Sequence, residues 1–145
     1  MTDIAYQPTF GLPISFVFTP STGTAFGSTV AQAEELTPAD LKIDTAKMTP
    51  ISGPNAGNEQ FALGKIPVAT VAIKATYLAA EHAAAQICLA AKVKGTLVVT
   101  YGDGATDTYA NSALTGIKQS AVTASNLRTD DLEFTVPLPS VFATA

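Results

Sequence analysis

The feature that most constrains this chain is strict alternation. Leu132, Phe134, Val136 and Leu138 interleave with Glu133, Thr135 and Pro137, and period-two patterning of this kind lays one apolar face and one polar face along a strand. The same alternation recurs in Ile14–Thr19, Val71–Tyr77 and Thr96–Tyr101, with a shorter version over Leu41, Lys42, Ile43 and Asp44. Pro20-Ser21, Pro137 and Pro139 bound these runs, as strand ends require. Gly102-Asp103-Gly104 is the strongest short-range hairpin signal in the chain and predicts a return strand near Thr108–Ile117.

One segment departs from this period. Over residues 78–92 the apolar residues Ala80, Ala84, Ile87, Cys88 and Ala91 recur at helical spacing, with Glu81, His82, Gln86 and Lys92 expected outward and Gly95 expected to close the segment. Thr37-Pro38 has the form of a helix start, but the strand pattern beginning at Leu41 leaves it little room. One short helix cannot cover both faces of a parallel sheet. The expected fold is therefore mainly β, an antiparallel sandwich or barrel of about six or seven strands with that one helix. At 145 residues the chain fits a single domain, 1–145, with the Pro- and Gly-punctuated residues 1–13 as an extended N-terminal arm.

Charge bears on function more than on fold. Only 14% of the residues are charged, against about 25% in an average protein, and the net charge is −4. Protein-facing surfaces are depleted in charge, so the deficit points to a chain that covers itself with other protein. An acidic chain whose sole arginine is Arg128 has no electrostatic grip on nucleic acid and no polybasic membrane contact. No secretory signal and no apolar run near ~20 residues is read from the sequence.

Catalytic and metal chemistry find little to work with. His82 is the only histidine and is expected on a partly exposed helix face without a constellation. Cys88, the only cysteine, is expected as a small buried hydrophobe. Asp103 and Asp107 flank the Gly-bearing turn, yet the stretch lacks the spaced oxygen ligands of a calcium loop, and turn chemistry accounts for Asp103. Asp130-Asp131 is expected as a solvated turn before the last strand. No catalytic residue, cofactor or metal is assigned, and the chain is read as not an enzyme.

The breaker-rich stretch 48–64, with Pro50, Gly53-Pro54-Asn55, Gly57 and Gly64, is too long for an idle loop in a compact domain. Ile51, Pro54, Asn55, Asn58 and Phe61 are its candidate contact residues.

The order of these elements resembles the tail tube, or major tail, proteins of long-tailed phages. The resemblance rests on Met48–Phe61 (MTPISGPNAGNEQF), Val71–Tyr77 (VAIKATY), Leu78–Ala91 (LAAEHAAAQICLAA), Gly95–Tyr109 (GTLVVTYGDGATDTY), Ser112–Lys118 (SALTGIK) and Leu132–Leu138 (LEFTVPL). It is a resemblance of pattern over about two-thirds of the chain, and the first 40 residues lie outside it. It implies a virion structural subunit, made in the host cytoplasm, whose partners are copies of itself and other tail proteins. In that family hexameric rings stack into a tube, the long loop reaches the adjacent ring, and DNA passes without specific binding. The alternatives are a capsid decoration or head-completion protein, and a small ligand-binding β domain.

Overall fold

The computed structural model describes residues 14–27, 33–125 and 128–144, so the expected arm over residues 1–13 lies outside the described residues. In chain order the elements are β1 (Ser15–Pro20), β2 (Phe26–Gly27), β3 (Ala33–Thr37), β4 (Thr45–Met48), β5 (Gln60–Leu63), β6 (Ala69–Thr76), α1 (Ala79–Ala91), β7 (Lys94–Thr100), β8 (Thr106–Gln119), β9 (Thr129–Val136) and β10 (Val141–Ala143). An eight-stranded antiparallel sheet carries the order β2-β1-β7-β8-β9-β6-β3, with β10 on β8, while β4 and β5 form a two-stranded sheet of their own. The mainly β, antiparallel, one-helix class expected from alternation is the class found.

The sheet curls into a sandwich-like body without closing. β1 and β9 stand three places apart in the strand order, which in a flat sheet is about 14 Å. Yet the rings of Phe18 on β1 and Phe134 on β9 lie 5.3 Å apart, and Phe16 meets Phe134 edge-on at 6.3 Å. Two bulges on β8 provide the bend. One places extra residues opposite Thr96, where Asn111 adopts φ 55°, and the other lies between Leu114 and Gly116. Phe26 stacks from β2, and Val71, Ile73, Leu97, Val99, Leu132 and Val136 complete a core from alternate positions of five strands.

Close backbone approach decides one glycine. Gly95 lies opposite Pro20, and a Cβ there would sit 2.2 Å from the Thr19 carbonyl oxygen. Its role is thus in β7 and not in closing the helix, which ends on Lys92 with a left-handed φ of 57°.

Several local expectations are corrected. Leu41–Asp44 is not a strand; the strand is Thr45–Met48, one hairpin arm, and Leu41 and Ile43 stand exposed with no core face to point at. Thr37-Pro38 starts no helix, because β3 runs to Thr37 and Pro38 has no N–H to extend its ladder. The stretch 48–64 is not one loop, since Gln60–Leu63 pairs with β4 and leaves residues 49–59 as the tip. Asp130-Asp131 is no solvated turn but part of β9.

The helix is also turned from its expected face. Ala85 and Cys88 are buried, while Ile87 is 68% exposed and Ala80 and Ala91 face solvent. Glu81 accepts the Gly27 N–H at 2.7 Å, and His82 meets Asp130 at 2.9 Å. These polar anchors, expected outward, face the sheet and carry Ile87 away from it.

Replacing Gly95 by alanine forces β1 and β7 apart. Urea unfolding should show a loss of about 2 kcal/mol or more, in the range of overpacked cores, whereas Gly53→Ala at the open hairpin tip should cost less.

Candidate assembly surface

The hairpin β4–β5 is where apolar surface collects. Leu41, Ile43, Met48, Ile51, Phe61, Leu63 and Val68 all stand exposed within it and its roots, and Ile51 is 99% exposed. Register sorts the paired residues. Lys47 lies opposite Phe61 and Thr45 opposite Leu63, so these four share one face. Met48, Gln60, Ala46 and Ala62 share the other. Both faces are open, and nothing among the described residues covers either.

The hairpin is shaped by its own backbone. At the tip, Gly57 N–H donates to Pro50 O at 2.9 Å and Asn58 N–H to Asn55 O at 3.1 Å. Gly53 and Gly57 take φ of 94° and 80°, a conformation glycine adopts without strain. At the root, Asp44 N–H donates to Lys65 O at 2.9 Å. The Lys47–Glu59 ion pair at 3.5 Å is exposed on both sides and adds little. An isolated two-stranded hairpin is marginal in water, and large contiguous apolar exposure marks an interaction site. These two facts make the hairpin the candidate contact surface among the described residues.

The residues singled out from sequence fall on this element. Ile51, Pro54, Asn55 and Asn58 lie exposed in the tip, and Phe61 lies on β5, 68% exposed. Sequence reasoning missed Met48, Leu63 and Val68, and placed Leu41 and Ile43 in a strand. The available signal was the density of large apolar residues flanking a breaker-rich tip. Smaller exposed groups lie elsewhere, with Ile87 on α1 and Val141 and Phe142 on β10.

A buried polar cluster around Asp130 braces the fold. His82, expected without partners, has them: Nδ1 lies 2.9 Å from Asp130 Oδ2 and Nε2 3.4 Å from Gln119 Nε2, and the Tyr77 ring is 5.5 Å away. With Nδ1 protonated, the imidazole donates to Asp130 and accepts from Gln119, so no ring nitrogen remains to take a substrate proton. Arg128 stacks on Tyr77 at 3.8 Å, a cation–π contact that braces the same corner. The enclosed space beside Asp130 and Glu81 is about 20 Å³, room for about one water and for no larger ligand. At the turn, Asp103 Oδ1 accepts the Ala105 N–H at 3.0 Å, and Gly104 takes φ 90°. Asp107 accepts Tyr101 Oη–H at 2.8 Å and Ser140 Oγ–H at 3.2 Å, tying the β7–β8 hairpin to the approach to β10. Burial first, and then Asp107, pushes the Tyr101 phenol up. Among the described residues no three His, Cys, Asp or Glu side chains are grouped to hold a metal ion, and no helix is long and apolar enough to cross a membrane.

No protein-family model matches the sequence, and no curated protein matches it. Solved structures do match its shape. A chain in the six-fold symmetrised cryo-EM structure of the anti-feeding prophage baseplate superposes with a TM-score of 0.73 at 9% identity, over 96% of this chain and 97% of that one. A chain in the sheath–tube complex of an extracellular contractile injection system, in its extended state, gives 0.68 at 10% identity over 100% of both. A chain in the tail of an empty gene transfer agent particle, refined with C6 symmetry, gives 0.65 at 15% identity over 96% and 100%. The chain shares the fold of these tail and injection-system chains. Coverage of both chains nearly end to end makes the match one of overall architecture. At these identities it is similarity of fold.

Two outcomes test the buried groups of this fold. Asp130→Ala removes the partner of His82 and should lower unfolding stability by about 2 kcal/mol in urea titration. Burial pushes the Cys88 thiol up, so at neutral pH it stays protonated. A thiol reagent should label native protein roughly a hundredfold more slowly than urea-unfolded protein.

Proposed function

We propose that this chain is a structural subunit of a phage-type tail tube, acting by assembly with copies of itself and with other tail proteins. The observation that carries the reading is the β4–β5 hairpin, with large apolar residues exposed on both faces, on a body whose fold is that of tube, tail and baseplate chains. Two of those matched structures carry six-fold symmetry in their description, which supports a hexameric ring here. The hairpin then reaches an adjacent ring, with Ile51, Pro54, Asn55, Asn58 and Phe61 in the contact, and stacked rings make the tube.

A conduit for DNA fits the charge. A net charge of −4 with a single arginine gives a passing phosphate backbone no counterion-releasing grip. The place of action is then the virion tail, after synthesis in the host cytoplasm. A ligand-binding reading finds less support: the space beside Asp130 and Glu81 is only about 20 Å³, and the clefts of about 330 to 520 Å³ lie open on the surface of the sheet. A decoration protein would instead leave the purified chain monomeric until a lattice is supplied.

Negative-stain electron microscopy with light scattering tests this. Wild-type protein should form rings or tubes. The pair Ile51→Asp and Phe61→Asp, at positions with no packing to lose, should leave circular dichroism unchanged and shorten tubes to single rings or less. Tubes of unchanged length in that variant would remove the hairpin from the ring-to-ring contact.

A further inference from the structure

Four neighbouring strands of the large sheet, β8, β9, β6 and β3, hold a row of charges in register. Lys118 lies opposite Asp131, Asp131 opposite Lys74, and Lys74 opposite Glu35. The adjacent row, one residue along, is Ile117, Leu132, Ile73 and Leu36, all part of the core or packed against it. Successive residues on a strand point to opposite faces, so the charged row lies on the outward face. Its signs alternate without exception: positive, negative, positive, negative.

The row is open at both ends among the described residues. Glu35 is on β3, the last strand at that edge of the sheet. Lys118 ends the other side, because β7 begins opposite Ala113 and does not extend to it. Both terminal residues are exposed. The two ends therefore carry opposite signs, and a second copy set beside the first continues the alternation. Placing β3 against β3 across a two-fold axis would instead bring Glu34 and Glu35 of each copy towards one another, which like-charge repulsion opposes. A head-to-tail contact is heterologous, and a heterologous contact makes a ring where its rotation closes.

We propose that Glu35 of one copy pairs with Lys118 of the next, and that this pair sets the direction and register in which copies join around a ring. The proposal rests on the tail-tube reading for the ring itself; the pairing comes from the charge row. Facing charges on opposed edges select the partner orientation, and their effect shrinks as salt shortens the screening length.

The test uses the full chain and two single charge reversals, E35K and K118E. Each places like charges at every junction and should raise the concentration for half-assembly by about tenfold or more, read by mass photometry and electron microscopy, with circular dichroism melts confirming the fold. A one-to-one mixture of the two variants should assemble as wild type does, because alternating copies restore opposite charges at each junction. Each chain keeps its own altered neighbours in that mixture, so rescue reports contact between copies and not repair within one. Variants that assemble as readily as wild type, or a mixture no better than its components, would overturn the pairing and leave the tube reading in place. Wild-type protein that never assembles would overturn both.

Discussion

The packing of Phe134 against Phe18 and Phe16 is the contact on which the architecture turns. Those rings sit on strands that a flat sheet would hold about 14 Å apart, and they meet at 5.3 and 6.3 Å. Bringing β1 over β9 is what converts a long open sheet into a body with an inside. Burying a phenylalanine is worth roughly 1.5–3 kcal/mol, and Phe16, Phe18, Phe26 and Phe134 gather at this one place. The bulges on β8 are the backbone's answer to that demand, since an extra residue bends and twists the strand that carries it.

The helix follows from the same geometry. A sheet that curls but does not close leaves an open end, and α1 sits there, anchored by Glu81 on the Gly27 N–H and by His82 on Asp130. Asp130 is buried by parity alone: it shares its face with Leu132, Phe134 and Val136. A buried carboxylate needs partners, and the helix supplies one. The His82–Asp130 pair is thus the solution to a strand's alternation, and Gln119 lies 3.4 Å from the other ring nitrogen.

Much of the fold was legible because alternation is a local property. The runs at Ile14–Thr19, Val71–Tyr77, Thr96–Tyr101 and Leu132–Leu138 fall mainly on β1, β6, β7 and β9, with Ile14, Tyr77, Tyr101 and Leu138 just beyond the strand ends, and the Asp103 turn joins β7 to β8 as expected. Leu41 and Ile43 show the limit of the method. Their alternation is as clean as that of Val71 and Ile73, but pattern does not say whether a core lies on the apolar side. The hairpin was legible as a breaker-rich stretch and not as a hairpin, because β4 and β5 are four residues each and their pairing is set by contact between them. Periodicity likewise misjudged α1, where the residues facing inward include a glutamate and a histidine.

The sequence by itself determined the class of fold, the scarcity of charge, the site of the helix and the position of the breaker-rich hairpin tip. These depend on spacing and composition, which the chain carries at every point. Only the tertiary structure decided which alternating runs found a core, which polar residues were drawn inside, and which charges came into one row. Glu35, Lys74, Asp131 and Lys118 are scattered over more than half the chain, and strand register alone makes them neighbours. Register is a relation between distant segments, fixed by packing and hydrogen bonding once the sheet forms.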